Sequence, residues 1–276
     1  MKLLYSTIIA LLLSFSTTSF SKPLYIFTSH AAVGAASGAF WQAVKKGMEE
    51  ACERFDADCQ MVYLQSEDGN IGEEVANFNS AIAAGANGIA TTIYDATSFD
   101  DPIDDALAQG INVIGYNIDD ENTPNNRQAF IGQSLEQAGY DLMVDLNERF
   151  FPQEGPLNVL VGVNAPGQYW SEARTSGEVR WLEGFKAANP DREINWSTLD
   201  AGYADDVMNR ASAYILANPE TNVYVSSGLW GPNLATALEE NGYKPGEIII
   251  GGFDVVPSVV ECIKNGWCHT TVDQQP

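Results

Sequence analysis

The chain has 276 residues, with 14 Lys or Arg against 37 Asp or Glu and a formal charge of −23 at pH 7. So few basic residues cannot build a phosphate-neutralising face, which excludes nucleic acid as a partner. The acidity is scattered through helices and turns and reads as a solvated surface, which bears on solubility and not on function.

Residues 1–21 read as a secretory signal peptide. Lys2 gives the positive start, Leu3 to Phe15 the apolar stretch, and Ser19-Phe20-Ser21 the small residues near a cleavage point. That stretch falls short of the ~20 residues a membrane span needs. No Cys follows the expected cut to take a lipid. A mature chain from Lys22 would be exported, soluble and long enough for two domains.

From Lys22 onward, short β-rich runs alternate with helical patterns. The first series has strands at Leu24–Thr28, Gln60–Leu64, Gly88–Tyr94 and Asn112–Tyr116, separated by helices at Ala39–Phe55, Glu73–Ala84 and Asp101–Gln109. A polar stretch, Asn117–Asn126, follows with Asp119, Asp120, Glu121, Asn122 and Pro124. After it come a strand at Ala129–Gly132 and a helix from Ser134 to Phe150. The second series has strands at Leu157–Gly162, Ile194–Leu199, Val223–Ser226, Ile248–Gly251 and Cys268–Val272. Its helices are Ser171–Ala188, Ala204–Ala217, Gly231–Glu240 and Pro257–Lys264. Gly85, Gly110, Gly242 and Gly266 stand where helix C-caps belong.

Strands alternating with such helices predict an α/β protein with parallel sheets and right-handed crossovers. The polar stretch marks a lobe boundary: residues 22–126 form an N-terminal lobe, 127–273 a C-terminal lobe, and 274–276 begin a third crossing. Two such lobes leave a cleft at the carboxyl ends of their strands, where open α/β sheets bind ligands, and they can hinge shut on a small molecule.

Four cysteines in an exported chain point to disulfides. Cys52 with Cys59, and Cys262 with Cys268, each bracket a helix end and the start of the next strand. Closing loops this small contributes about 2–3 kcal/mol in the loop-entropy account. Free buried thiols are the weaker alternative. A metal site is weaker still, because neither spacing is Cys-x-x-Cys and only His30 and His269 could assist.

Several stretches together resemble a known family. They are Phe40-Trp41 opening the first helix, Val113 to Asp119 at the first crossing, and Ile131-Gly132-Gln133 with Ala138-Gly139. Arg174-Thr175-Ser176-Gly177, Gly252-Phe253-Asp254 and Asp273-Gln274-Gln275-Pro276 complete the set. In order and spacing they resemble the type I periplasmic sugar-binding proteins, the ribose- and galactose-binding group that serves ABC importers. The resemblance implies two Rossmann-like parallel-sheet lobes joined by a hinge. In that family the chain continues after this crossing with a helix and a last strand of the first lobe. The expectation is therefore that the C-terminal portion of the fold lies beyond Pro276, leaving the first lobe with an exposed apolar face and a sheet edge.

The resemblance also implies cleft-lining positions. Phe40 and Trp41 match an aromatic pair flanking a sugar ring, and Tyr203 fits another wall. Arg174 matches a bidentate hydroxyl donor, while Asp254 and Gln274 match hydrogen bonders of the second lobe and hinge. Asn117 stands for a usual Asp, Ile118 for an Arg found in ribose binders, and Ser227 or Gly228 for a common Asn, which argues against ribose itself. Sugar chemistry agrees with these residue types. Planar Asn, Asp, Arg and Gln satisfy vicinal hydroxyls two at a time, and aromatic rings cover the C–H faces.

Trp170 beside Tyr169, and Asp95 after the third strand, complete the set of expected ligand-binding residues. Each has a plainer reading. Phe40 could be core, Arg174 a surface ion pair with Glu172 or Glu178, and Asp254 a helix cap. Gln274 could serve the hinge alone, and Asp95 a turn.

Catalysis lacks its parts: two histidines, no Gly-x-Ser-x-Gly elbow and no phosphate loop. Chance carboxylate pairs in an acidic chain carry no weight for glycosidase work. The expected protein is a periplasmic, non-catalytic solute-binding protein without cofactor or metal, delivering a monosaccharide or similar polyol to the permease of an ABC importer. The alternative is an exported receptor of the same fold signalling to a membrane sensor kinase or chemoreceptor.

Overall fold

The computed structural model describes residues 21–34, 38–66, 68–120 and 125–276. The signal peptide, apart from Ser21, and Glu121, Asn122 and Pro124 of the polar stretch lie outside the described residues.

Two five-stranded sheets form among the described residues. The first holds β1 (Leu24–Ala32), β2 (Asp58–Leu64), β3 (Gly88–Thr91), β4 (Asn112–Asn117) and β5 (Ala129–Gly132), in the spatial order β2-β1-β3-β4-β5. The second holds β6 (Leu157–Val163), β7 (Ile194–Asp200), β8 (Val223–Ser226), β9 (Ile249–Phe253) and β10 (Thr270–Val272), in the order β7-β6-β8-β9-β10. The ladders run parallel throughout. Counting each sheet from its own first strand, the two orders are the same.

The division expected after Asn126 would cut β5 away from its sheet. Residues Ala129 to Gly132 pair with Ile114 to Asn117 of β4, so the first sheet takes in the chain to Gly132. The strand that follows the polar stretch thus belongs to the first sheet.

In the first lobe, α1 (Gly38–Arg54) lies on one face of the sheet, and α2 (Ile71–Ala83) and α3 (Asp100–Ala108) on the other. Neighbouring residues on each strand point to opposite faces. Ile26, Ile89 and Val113 pack with Phe78 and Ile103, while Phe27, Ala90 and Ile114 pack with Trp41 and Val44. Asn70 caps α2, its side chain accepting from the Glu73 backbone N–H at 3.0 Å. Gly85, Gly110, Gly242 and Gly266 take positive φ just past their helices, as C-caps require.

The second lobe is more thoroughly covered. One face carries α4 (Leu135–Arg149) and α5 (Tyr169–Ala188), whose Leu142, Met143, Leu146 and Trp181 bury Val159, Val161, Val223 and Phe253. These two helices touch backbone to backbone. A Cβ at Gly139 would strike the Arg174 carbonyl, and one at Gly177 the Glu136 carbonyl.

The opposite face carries α6 (Ala204–Asp206), α7 (Ser212–Ala217), α8 (Gly231–Glu240) and α9 (Pro257–Lys264). The single helix expected over residues 204–217 is interrupted by a π-helical turn at Val207–Ala211. Ser212 there donates its hydroxyl back to the Met208 carbonyl, a bond that competes with regular α-helix. Val207, Ala211 and Ile215 are fully buried in the same cluster as Leu234 and Leu238 of α8.

Both disulfides form. Cys52–Cys59 joins the end of α1 to β2 with Cα atoms 6.2 Å apart. Cys262–Cys268 joins α9 to the approach of β10 at 5.1 Å. On the α1 face of the first sheet the described residues leave an apolar groove, lined by Tyr25, Phe27, Met48, Phe55 and Ile114 among others.

Candidate functional site

The carboxyl ends of both sheets face one cavity. The first lobe contributes His30 from the end of β1, Phe40 and Trp41 from the opening of α1, Asp68 from the loop after β2, and Asn117 with Ile118 from the end of β4. The second lobe contributes Trp170 and Arg174 from α5, Gln168 just before it, Tyr203 before α6, and Trp230 before α8. Asp254 follows β9, and Gln274 follows β10.

Eight of the nine residues expected at the site therefore share this cavity: Phe40, Trp41, Asn117, Trp170, Arg174, Tyr203, Asp254 and Gln274. Asp95 does not. Its carboxylate accepts from the backbone N–H groups of Thr97 at 3.2 Å and Ser98 at 2.8 Å, so it organises a turn ahead of α3. Bonding to Ser98 holds its pKa below the usual value. Ser227 is also turned away. It is fully buried, with Oγ accepting from the Asn164 N–H and paired with Ser171 Oγ, while Gly228 reaches the cavity.

Sequence reasoning missed His30, Asp68, Gln168, Leu229 and Trp230 as cavity residues. Strand β1 shifts register between Thr28 and Ala32, so its alternation breaks before His30 and the pattern of the strand ends there. For Trp230 a signal existed: a large ring in a strand-to-helix loop. Gln168 had none, because its place depends on a contact between lobes.

Trp41 is 4% exposed and packs edge-on to His30, Phe40 and Tyr116. Phe40 is only partly buried, so it is the freer ring of the pair. The His30 imidazole has no partner at Nδ1. Burial, aided by the Arg174 charge, pushes its pKa down to about 3, so the ring is neutral and offers one donor and one acceptor. Behind it on α2, the fully buried Glu74 accepts from Thr92 Oγ1 at 2.7 Å and Thr91 Oγ1 at 3.3 Å. Burial still raises its pKa to about 8.

Arg174 anchors the second-lobe wall. It is 4% exposed, donates to the Ser227 carbonyl at 3.0 Å and Gln133 Oε1 at 3.2 Å, and lies over the Phe253 ring at 4.1 Å. Its Nε keeps a donor without a partner. Burial lowers its pKa to about 10, against the pull of Asp254 and Glu178, and it stays a cation. The surface ion-pair reading of Arg174 does not describe this geometry. Burial also raises Asp254, opposed by Arg174 and by a hydrogen bond from Gln274. Glu178, one turn further along α5, is fully buried and pushed well up by that burial.

At the hinge a chain of bonds joins the lobes. Asn117 Nδ2 donates to Gln274 Oε1 at 3.1 Å, and Gln274 Nε2 donates to Asp254 Oδ1. Asn117 has φ +61° and Asp254 φ +71°; Asn117 is the last residue of the fourth strand of its sheet, and Asp254 directly follows the fourth strand of the other. Asn and Asp are the non-glycine residues that best tolerate this left-handed region. Such a cavity can hydrogen-bond a polar ligand from both lobes while rings close over its faces. Among the described residues no group of three or more His, Cys, Asp or Glu side chains could hold a metal ion. Among them, too, no helix is long and apolar enough to cross a membrane.

Residues 32–276 match the family described as periplasmic binding protein domain. The chain belongs to that family. Its two lobes have the type I periplasmic binding protein fold. Among curated proteins, the xylose/arabinose-binding protein XylF of Sulfolobus acidocaldarius is 26% identical over 250 residues, 86% of this chain and 59% of that protein. The chain thus spans about three-fifths of that relative's length. Among solved structures, an ABC sugar transporter (periplasmic sugar binding protein) from Legionella pneumophila superposes with a TM-score of 0.78. It shares 24% identity, with 92% of this chain and 90% of that one covered. A XylFII–LytSN complex gives 0.77 at 21% identity, covering 92% of this periplasmic binding protein and 88% of that chain.

Proposed function

We propose that this chain binds a monosaccharide, or a similar polyhydroxylated small molecule, between its lobes for delivery to the permease of an ABC importer. The observation that carries the reading is the composition of the cavity. Phe40, Trp170, Tyr203 and Trp230 offer ring faces, and Asn117, Arg174, Asp254 and Gln274 offer planar hydrogen-bonding groups. Neutral His30 adds one donor and one acceptor. A ring with apolar faces and a belt of hydroxyls complements that arrangement, and a wrong epimer would leave buried polar groups unpaired.

The names of XylF and of the Legionella protein support the same ligand class. The protein is not an enzyme in this reading: Asp254 is engaged by Gln274, and among the described residues no activated nucleophile stands beside it. The leader is removed near Ser21, and the mature protein works in the periplasm with two lobes, the first ending at Gly132. No cofactor takes part.

Titrating the mature protein with a panel of monosaccharides and polyols tests this, read by tryptophan fluorescence. Trp41, Trp170 and Trp230 line the cavity and will report its closure. A saturable change with one sugar is the expected result. A folded protein silent to the whole panel would sink the reading. A second reading, an exported receptor for a membrane sensor, is favoured by the neighbour solved with LytSN. A histidine-kinase gene beside this one would favour it, whereas permease and ATPase genes favour import.

A further inference from the structure

Gln168 stands in the second lobe just before α5, yet its side chain lies on the backbone of Gly69 in the first lobe. A Cβ built on Gly69 would come within 2.9 Å of the Gln168 amide carbon and would collide with its nitrogen. Gly69 also has φ +75°, a conformation that side chains rarely adopt.

Both sides of this contact are fastened. Trp170 Nε1 donates to Gln168 Oε1 at 2.6 Å, and Gln168 Nε2 donates to Tyr203 Oη at 3.4 Å. The Gly69 N–H donates to the His30 carbonyl at 2.8 Å, and Asp68 Oδ1 accepts from the Ala32 N–H at 2.6 Å. The four side chains involved, those of Asp68, Gln168, Trp170 and Tyr203, line or border one cavity rim, and none of them belongs to the hinge bonds of Asn117, Gln274 and Asp254.

We propose that Gln168 is a specificity-determining residue that closes this rim against Gly69 and limits the ligand to a single sugar ring, excluding disaccharides and glycosides. The proposal rests on the sugar-binding reading above. A second ring linked to the first must leave the cavity through its rim. With the amide of Gln168 against the Gly69 backbone, such a ligand could be held only by parting the lips. That would pull the Gln168 amide off the Gly69 backbone and forfeit closure, through which a ligand gains its contacts with both lobes. Glycine at position 69 is what allows the lips to meet.

Isothermal titration of the full mature protein tests this with matched probes: D-xylose with xylobiose, D-glucose with maltose, and each monosaccharide with its methyl glycoside. The intact protein should prefer the bound monosaccharide over its disaccharide by about 100-fold or more, because exclusion forfeits contacts on both lobes. Gln168→Ala should reduce that ratio by about tenfold, through weaker monosaccharide binding and newly tolerated disaccharide. Gly69→Ala should lower it from the opposite lip, and decides the matter if the first variant fails to fold by circular dichroism. A monosaccharide bound with an unchanged ratio in folded variants overturns the role of Gln168 and leaves the sugar reading standing. An intact protein that binds mono- and disaccharide equally does the same. An intact protein that binds no probe overturns the sugar reading and this proposal together.

Discussion

The two lobes share one strand order and differ in how their faces are covered. In the second lobe α4 lies beside α5, and Leu146 reaches across the sheet to Gly251 of β9. On the corresponding face of the first lobe α1 has no such companion among the described residues, and Tyr25 and Phe55 remain 38% and 75% exposed. Among the described residues, one sheet is therefore covered on both faces, and the other shows an apolar groove on its α1 face.

A second contrast lies in the buried carboxyls. Glu74 in the first lobe is bonded by two threonines, whereas both oxygens of Glu178 in the second lack a hydrogen-bond partner. Both are pushed up by burial. Because folded Glu74 holds its proton more tightly than the unfolded chain does, its contribution is complete below about pH 4.5 and is lost as pH rises toward about 8. Glu74→Gln should remove that loss and raise stability at pH 8.5 by several kcal/mol, since each tenfold gain in proton affinity on folding is worth about 1.4 kcal/mol. Thermal melts between pH 5 and 8.5 would check it, and parallel curves for the two proteins would rule it out.

Removing the seal itself is the next largest effect. Leu146→Ala opens a cavity under α4 and should cost about 2–5 kcal/mol in denaturant unfolding. A loss below about 1 kcal/mol would mean that α4 does not distinguish the lobes in this way. At the site, Arg174→Lys should weaken the proposed sugar binding by about 1.5–3 kcal/mol, since a lysine cannot reproduce the planar fork. Full binding by the lysine variant would remove Arg174 from the proposed ligand contacts. Asn117→Ala loses the bond to Gln274 and keeps the left-handed backbone, which should cost about 1–2 kcal/mol of stability. Asn117→Gly, freed of strain, should cost less, and equal losses would exclude strain as a cause. Phe55→Ser, in the open groove, should shift stability by no more than about 0.5 kcal/mol.

Most of the fold was legible because buried parallel strands and amphipathic helices leave periodic patterns, and Gly85, Gly110, Gly242 and Gly266 punctuate them. What misled was local. The register shift in β1 hid His30, and the β5 pairing displaced the lobe boundary. The turn chemistry of Asp95 spends a carboxylate that otherwise resembled a ligand. Eight cavity residues were legible because they sit at strand ends or helix openings. Gln168 was not, since nothing near it in sequence announces Gly69, about a hundred residues earlier.

The matched left-handed residues at the ends of β4 and β9 carry a consequence for how such a chain changes over generations. Asn117 and Asp254 occupy one position of a unit wound twice, and both reach Gln274. A duplicated gene segment leaves that kind of paired imprint. In the proposed reading each copy can then drift without the other: Asn117 can be exchanged to suit new hydroxyls while Asp254 and Arg174 keep their places on the second-lobe wall. Ligand preference in such a lineage can move by half a site at a time, with the shared glutamine holding the halves in step.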